Sequence, residues 1–100
     1  MNPTIYLFQK WAYRVKKDWY GFSLGNAPFE WATEIDEFLE WVEANFPDFK
    51  ILQIKLKMGG LRCYLDLGLP DTLIHDSLLK EYNSRRLELE NKLFTKRLIY

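Results

Sequence analysis

The sequence predicts an α+β domain in the order helix, helix, antiparallel β-hairpin, long C-terminal helix, and three observations carry that prediction. Residues 51–67 alternate apolar and polar side chains around Gly59-Gly60, the pattern of two half-buried strands joined by a tight turn. Residues 29–45 repeat apolar side chains at helical spacing, and the stretch after Pro70 returns to that spacing as far as Leu93. One hundred residues suffice for one core, so 1–100 is read as a single α+β domain. A hydrophobic content of 48%, with 17% aromatic residues, argues against disorder.

The first helix is expected from Ile5 to Trp19, with Thr4 as its N-cap and Phe8, Trp11 or Ala12, Val15 and Trp19 recurring three or four residues apart. Lys10, Arg14 and Lys17 run along another side and read as a solvated face. Gly21, Gly25, Asn26 and Pro28 then break the periodicity, so residues 20–28 are expected to form a loop. Tyr20 and Phe22, in that loop, are the aromatic residues expected to anchor a contact.

The second helix is expected from Phe29 to Asn45. Trp31, Ile35, Phe38, Leu39 and Val42 share one arc, Glu30, Glu34, Glu37, Glu40 and Glu43 the other, and Pro47 follows as a stop. No Lys or Arg lies three or four residues from these acids, so relief of their repulsion must come from elsewhere in the molecule or from a partner.

In the hairpin, Leu52, Ile54, Leu56, Met58, Leu61, Cys63, Leu65 and Leu67 fall on one side. Ile51, Gln53, Lys55, Lys57, Arg62, Tyr64 and Asp66 fall on the other. With Gly59 and Gly60 as the two turn residues of a type I′ turn, Met58 faces Leu61, Lys57 faces Arg62, Leu56 faces Cys63, Lys55 faces Tyr64 and Gln53 faces Asp66. Like charges directly across a strand pair cost some tenths of a kcal/mol. Either an anion on a partner offsets that cost, or the side chains splay into water or are covered by the chain's own acids.

The segment Ile54-Lys55-Leu56-Lys57-Met58-Gly59-Gly60-Leu61-Arg62-Cys63-Tyr64 resembles a stretch of the form Ile-Lys-x-Lys-Phe-Gly-Gly-Leu-Arg-x-Tyr found in small, mostly uncharacterised bacterial and phage proteins. Met58 departs from it, standing where that pattern has Phe. The resemblance implies a prokaryotic or viral origin and marks Lys55, Lys57, Gly59, Gly60, Arg62 and Tyr64 as family-like positions. It implies no activity.

Asp71 is a reasonable cap for the last helix, with Ile74, Leu78, Tyr82, Leu89 and Leu93 at near-heptad spacing. Asn83-Ser84-Arg85-Arg86 interrupts the stripe, which leaves open one long projecting helix or two shorter ones. A projecting helix would expose Leu89, Leu93, Phe94 and Leu98 and invite a homodimer through the C-terminal helix.

Formal charge sums to zero, from 14 basic and 14 acidic residues, but its distribution is uneven. Residues 1–29 carry four bases and one acid, 30–48 seven acids and no base, 49–67 four bases and one acid, and 68–100 six bases and five acids. Such asymmetry speaks about contacts more than fold. The single cysteine, Cys63, excludes an internal disulfide, fits a reducing compartment and reads as a buried small hydrophobe. Neither a secretion signal nor a membrane-spanning stretch is visible, so a cytoplasmic protein is expected.

Chemistry-bearing constellations are missing from the pattern. His75 stands alone, no zinc or calcium ligand spacing occurs, and Gly59-Gly60 lacks the lysine and following helix of a phosphate loop. Glu34, Glu37 and Glu40 lack an apolar pocket to tune them as catalytic acids. No enzyme, cofactor or metal is therefore expected.

The reading that remains is a small non-enzymatic protein that binds another macromolecule, most simply a protein, as a bacterial or phage inhibitor or accessory factor, for example an antagonist of host defence. Lys55, Lys57, Arg62, Tyr64, Tyr20 and Phe22 are the expected contact residues. The alternative is a nucleic-acid-binding module, with Lys55, Lys57 and Arg62 on phosphates and Tyr64 stacked on a base.

Overall fold

The computed structural model describes residues 3–25, 27–69 and 76–94. Along the chain lie α1 (Pro3–Trp11) with a 3₁₀ turn at Ala12–Arg14, β1 (Gly21–Ser23), α2 (Trp31–Asn45), β2 (Lys50–Lys57), β3 (Gly60–Asp66) and α3 (Asp76–Lys92). The α+β class holds, with a three-stranded mixed sheet in place of a lone hairpin. Its order is β1-β2-β3, β1 parallel and β3 antiparallel to β2, with α2 as the crossover between the parallel pair.

The first helix ends at Trp11, well short of Trp19. Pro3, Leu7 and Trp11, spaced four apart, bury one stripe and leave Phe8 exposed. Beyond it the sheet competes for the backbone: Val15 bridges Ile51 in parallel, and the Lys16 N–H donates to the Ile51 carbonyl at 2.9 Å. Thr4 lies inside the helix, and its Oγ1 accepts the Leu24 N–H at 2.9 Å, tying α1 to the end of β1. The expected loop at 20–28 contains β1, a strand too short to show alternation of its own and set by its pairing with β2.

The hairpin turn is Met58-Gly59, one residue earlier than expected. Both have positive φ, 53° and 82°, as a type I′ turn requires. The pairs become Lys57 with Gly60, Leu56 with Leu61, Lys55 with Arg62, Ile54 with Cys63 and Gln53 with Tyr64. Moving a two-residue turn by one position changes every pairing by two residues, so apolar still meets apolar and alternation does not choose between the two registers. Gly60 is needed in the strand instead: Phe94 forms an antiparallel bridge to it, and a Cβ there would stand 2.9 Å from Phe94 Cδ2. A bulge at Leu52 between the Ile51 and Gln53 pairings turns Ile51 into the core, against its expected outward place.

The core joins Leu7 and Trp11 of α1, Trp31, Ile35, Phe38, Leu39 and Val42 of α2, and Phe22, Ile54, Leu61 and Cys63 of the sheet. Of the two expectations for the C-terminal helix, continuity holds: α3 runs unbroken through Asn83-Ser84-Arg85-Arg86. It lies on the core instead of projecting, because Tyr82, Leu89 and Leu93 are buried. The apolar positions expected to serve a homodimer, Leu89 and Leu93, are thus spent inside the molecule, with Phe94 laid over Gly60. Leu98, like Asp71, Ile74 and His75, falls outside the described residues.

Candidate binding face

On the sheet, the row Phe22, Ile54, Cys63 points into the core. The neighbouring rows, Gly21-Gln53-Tyr64 and Ser23-Lys55-Arg62, therefore point the other way, with Lys57 one step further on β2. Ser23, Lys57, Arg62 and Tyr64 are exposed there, and Lys55 and Gln53 are half-buried.

Lys55 and Arg62 face each other directly, taking the place expected for Lys57 and Arg62. Lys55 Nζ lies 6.0 Å from the Tyr64 ring centroid, and Arg62 donates from Nη1 to the Leu61 carbonyl at 3.0 Å. No carboxylate among the described residues pairs with Lys50, Lys55, Lys57 or Arg62. The one acid on these strands, Asp66, is held by Lys16 at 3.1 Å and by the Gly68 N–H at 2.9 Å; the N–H first and the lysine second hold its carboxyl below the ordinary range.

Four of the five acids of α2 find basic partners within the chain, away from this face. Lys10 bonds Asp36 at 2.9 Å and Glu40 at 2.7 Å, Arg14 bonds Glu43 at 3.0 Å, and Lys92 reaches Glu34 at 3.0 Å. Lys10 and Arg14, read from the sequence as solvated, are the lysine and arginine that answer the acidic helix. Trp11 Nε1 also donates to Asp36 at 2.8 Å, and the Tyr13 hydroxyl donates to Glu43. That hydroxyl, with Arg14 behind it, holds the Glu43 carboxyl below its usual value.

Tyr64 is 45% exposed and Tyr20 75%, but Phe22 is 7% exposed and belongs to the core, so it leaves the set of surface anchors. Trp19, which periodicity places inside a helix, is 48% exposed and packs edge-on against Tyr20 at 6.4 Å between centroids. No sequence signal separated it from the helical stripe, because the break at Trp11 comes from pairing with β2. Gly59 holds the turn as expected, and Gly60 serves the strand.

The edges of the sheet offer little to a pairing strand. On β3 the Leu61 N–H donates to the Leu93 carbonyl at 3.1 Å and the Cys63 N–H to Glu90 Oε2 at 2.8 Å. β1 is only three residues long.

An open groove of about 280 Å³ lies between α2 and α3, lined by Phe38, Trp41 and Leu89 with charged residues at its rim, and Arg85 rests 4.6 Å from the Trp41 ring centroid. Among the described residues no group of three or more His, Cys, Asp or Glu is placed to hold a metal ion, and no helix is long and apolar enough to cross a membrane. Burial pushes the Cys63 thiol far up, so it is a packed core group. Comparison with protein-family models, curated proteins and solved structures finds no match to this chain.

Proposed function

We propose that this chain is a non-enzymatic binding protein whose outer sheet face engages an acidic surface of another protein, with a steric or regulatory effect on it. The supporting observation is the set Lys50, Lys55, Lys57 and Arg62, which have no carboxylate partner among the described residues and stand on strands whose apolar sides pack in the core. Four of the acids that might have covered them, Glu34, Asp36, Glu40 and Glu43, are taken by Lys10, Arg14 and Lys92. Exposed like charges kept together are unfavourable alone and become favourable against an anionic partner, where they speed encounter and fix orientation. Resemblance of residues 54–64 to segments of small bacterial and phage proteins directs the proposal to an inhibitor or accessory factor, in its most specific form an antagonist of host defence.

The test is affinity capture from nuclease-treated bacterial lysate. Wild type is compared with a Lys55→Glu, Lys57→Glu, Arg62→Glu triple variant and with a Glu37→Lys, Glu88→Lys control on the far side. A protein retained by wild type and control but lost by the triple variant, at unchanged circular dichroism, is the expected outcome. Equal recovery by the triple variant overturns the proposal.

One observation favours a second reading: Tyr64 offers an exposed ring beside two cations on an open sheet, the arrangement that stacks a base and holds its phosphates. Three phosphate contacts give a slope of about −2 to −3 in log affinity against log salt. Absence of any DNA or RNA complex in low-salt gel shifts removes this reading.

A further inference from the structure

The edge strand beside β2 is interrupted. Val15 bridges Ile51 and the Lys16 N–H bonds the Ile51 carbonyl; parallel pairing then resumes at Gly21 with Gln53. Between these points residues 17–20 leave the sheet, at the level where β2 carries its own bulge at Leu52. The excursion has left-handed backbone within it at Asp18, φ 68°, and just after it at Gly21, φ 69°, and a bond from the Trp19 N–H to the Lys16 carbonyl at 3.0 Å closes its turn. Aspartate tolerates this region better than most residues, yet a non-glycine residue there still carries backbone cost. The excursion displays Trp19 and Tyr20, exposed and packed at 90° to each other, beside the exposed Lys17 and Asp18. Trp11 and Trp31, by contrast, are buried.

We infer that residues 17–20 form an anchor loop that inserts Trp19 and Tyr20 into an apolar pocket of an acidic protein partner, while the neighbouring cationic rows orient that partner. The inference rests on the proposed binding face and adds the residues that supply its affinity. Register sets the spacing: Tyr20 precedes Gly21, which begins the row running through Gln53 to Tyr64, so the loop enters the sheet at the edge opposite the strand that bears Tyr64. The chemistry of the occupant follows from the rings' geometry and the charge. Bases of a single strand stack on rings lying parallel to one another, whereas a perpendicular Trp-Tyr pair is a knob with edges in two directions, suited to a pocket. Large rigid aromatics at the centre of a contact, flanked by charges, are the residues that dominate protein interfaces. Lys50, Lys55, Lys57 and Arg62, on the strands beyond β1 and without carboxylate partners among the described residues, call for carboxylates on the same partner.

The experiment immobilises the full chain and selects from a random twelve-residue peptide display library, then titrates the synthetic consensus peptide in solution. Expected is a consensus combining two or more Asp or Glu with aliphatic residues, and at least a tenfold loss of affinity in both Trp19→Ala and Tyr20→Ala, about 1.4 kcal/mol each. Salt dependence should be unchanged in those two variants and flattened in the Lys55, Lys57, Arg62 reversal, with thermal midpoints monitored throughout.

If affinity falls only in the charge reversal, the anchor loop is refuted and the binding face stands. If it falls only in the ring variants, the cationic face is refuted and the loop stands. Enriched peptides indifferent to both sets, or selection no stronger than on a Trp19→Ala, Tyr20→Ala double variant, overturn the inference, leaving the excursion as a device that blunts a sheet edge. A poly-dT oligonucleotide binding more tightly than any peptide overturns it in favour of nucleic acid.

Discussion

Met58→Asn should stabilise this protein, and the sign of the effect decides the hairpin register. Met58 sits in the left-handed region at φ 53°, where a side chain with a Cβ costs about 1–2 kcal/mol relative to its preferred conformations. Asparagine tolerates that conformation, and Asn-Gly is the favoured pair for a type I′ turn. Because Met58 is 83% exposed, little apolar burial is lost on replacement. Part of the backbone cost is recovered, giving a gain of about 0.5–1 kcal/mol, or roughly 2–8 °C in the midpoint of a domain this size. Glycine at the same site relieves the strain too, but it loosens the unfolded chain by about 0.4–1 kcal/mol and so changes stability little. Valine should destabilise, since a β-branched residue in this region is strained. Thermal and urea unfolding of the three variants give the order Asn above wild type above Val. If Gly59-Gly60 were the turn, Met58 would be a strand residue on the apolar side, and Val would rise while Asn fell. That reversed order would refute the observed register and the Lys55-Arg62 pairing with it.

Three further outcomes follow from the same structure. Gly68→Ala should cost about 2–4 kcal/mol in chemical denaturation, because φ is 71° and the new Cβ would lie 2.7 Å from the Asp48 carbonyl oxygen, a backbone atom with little room to yield. Glu43 and Asp66 both titrate below their ordinary values, so their contribution to stability is present above the usual carboxylate range and is lost as pH falls through their folded-state values. Denaturation midpoints should therefore drop on acidification below about pH 4, and the drop should be shallower in a Glu43→Gln, Asp66→Asn variant; an unchanged profile would show those bonds to be absent. Burial pushes the Cys63 thiol up, so iodoacetamide at pH 8 should label it only on unfolding, and labelling of the native protein within minutes would contradict its place in the core.

What the sequence made legible was periodicity, and what it hid was decided between segments. α2 matches its expected span to within two residues because a 15-residue amphipathic stretch with an apolar arc at Trp31, Ile35, Phe38, Leu39 and Val42 satisfies its own backbone. The end of α1 was illegible because the residues after Trp11 exchange helical bonds for pairing with Ile51. β1 was illegible because three residues carry no period. The turn position was ambiguous in principle, both registers keeping like with like, and was settled by Phe94, thirty-four residues from the glycine it covers. For the candidate face, alternation correctly sent Lys55, Lys57, Arg62 and Tyr64 outward. It had no means of seeing that Phe22 turns inward or that Trp19 lies on an excursion.

Zero net charge, which by itself speaks against a surface for anions, loses that force once the pairs are located. Each exposed ion pair adds little to stability, typically under about 1 kcal/mol, so the larger consequence of the pairing is where it leaves charge unmatched. Lys10 alone absorbs two carboxylates, and with Arg14 and Lys92 it disposes of four acids on α2 using three bases. Among the described residues six bases are then left without an ion pair, Lys17 and Lys80 apart from the sheet and Lys50, Lys55, Lys57 and Arg62 together on β2 and β3, where Asp66 is already bound to Lys16. The sequence is therefore neutral in sum while four of those six bases gather on two adjacent strands, and a cluster of that kind sets up a local positive potential that the net charge does not report.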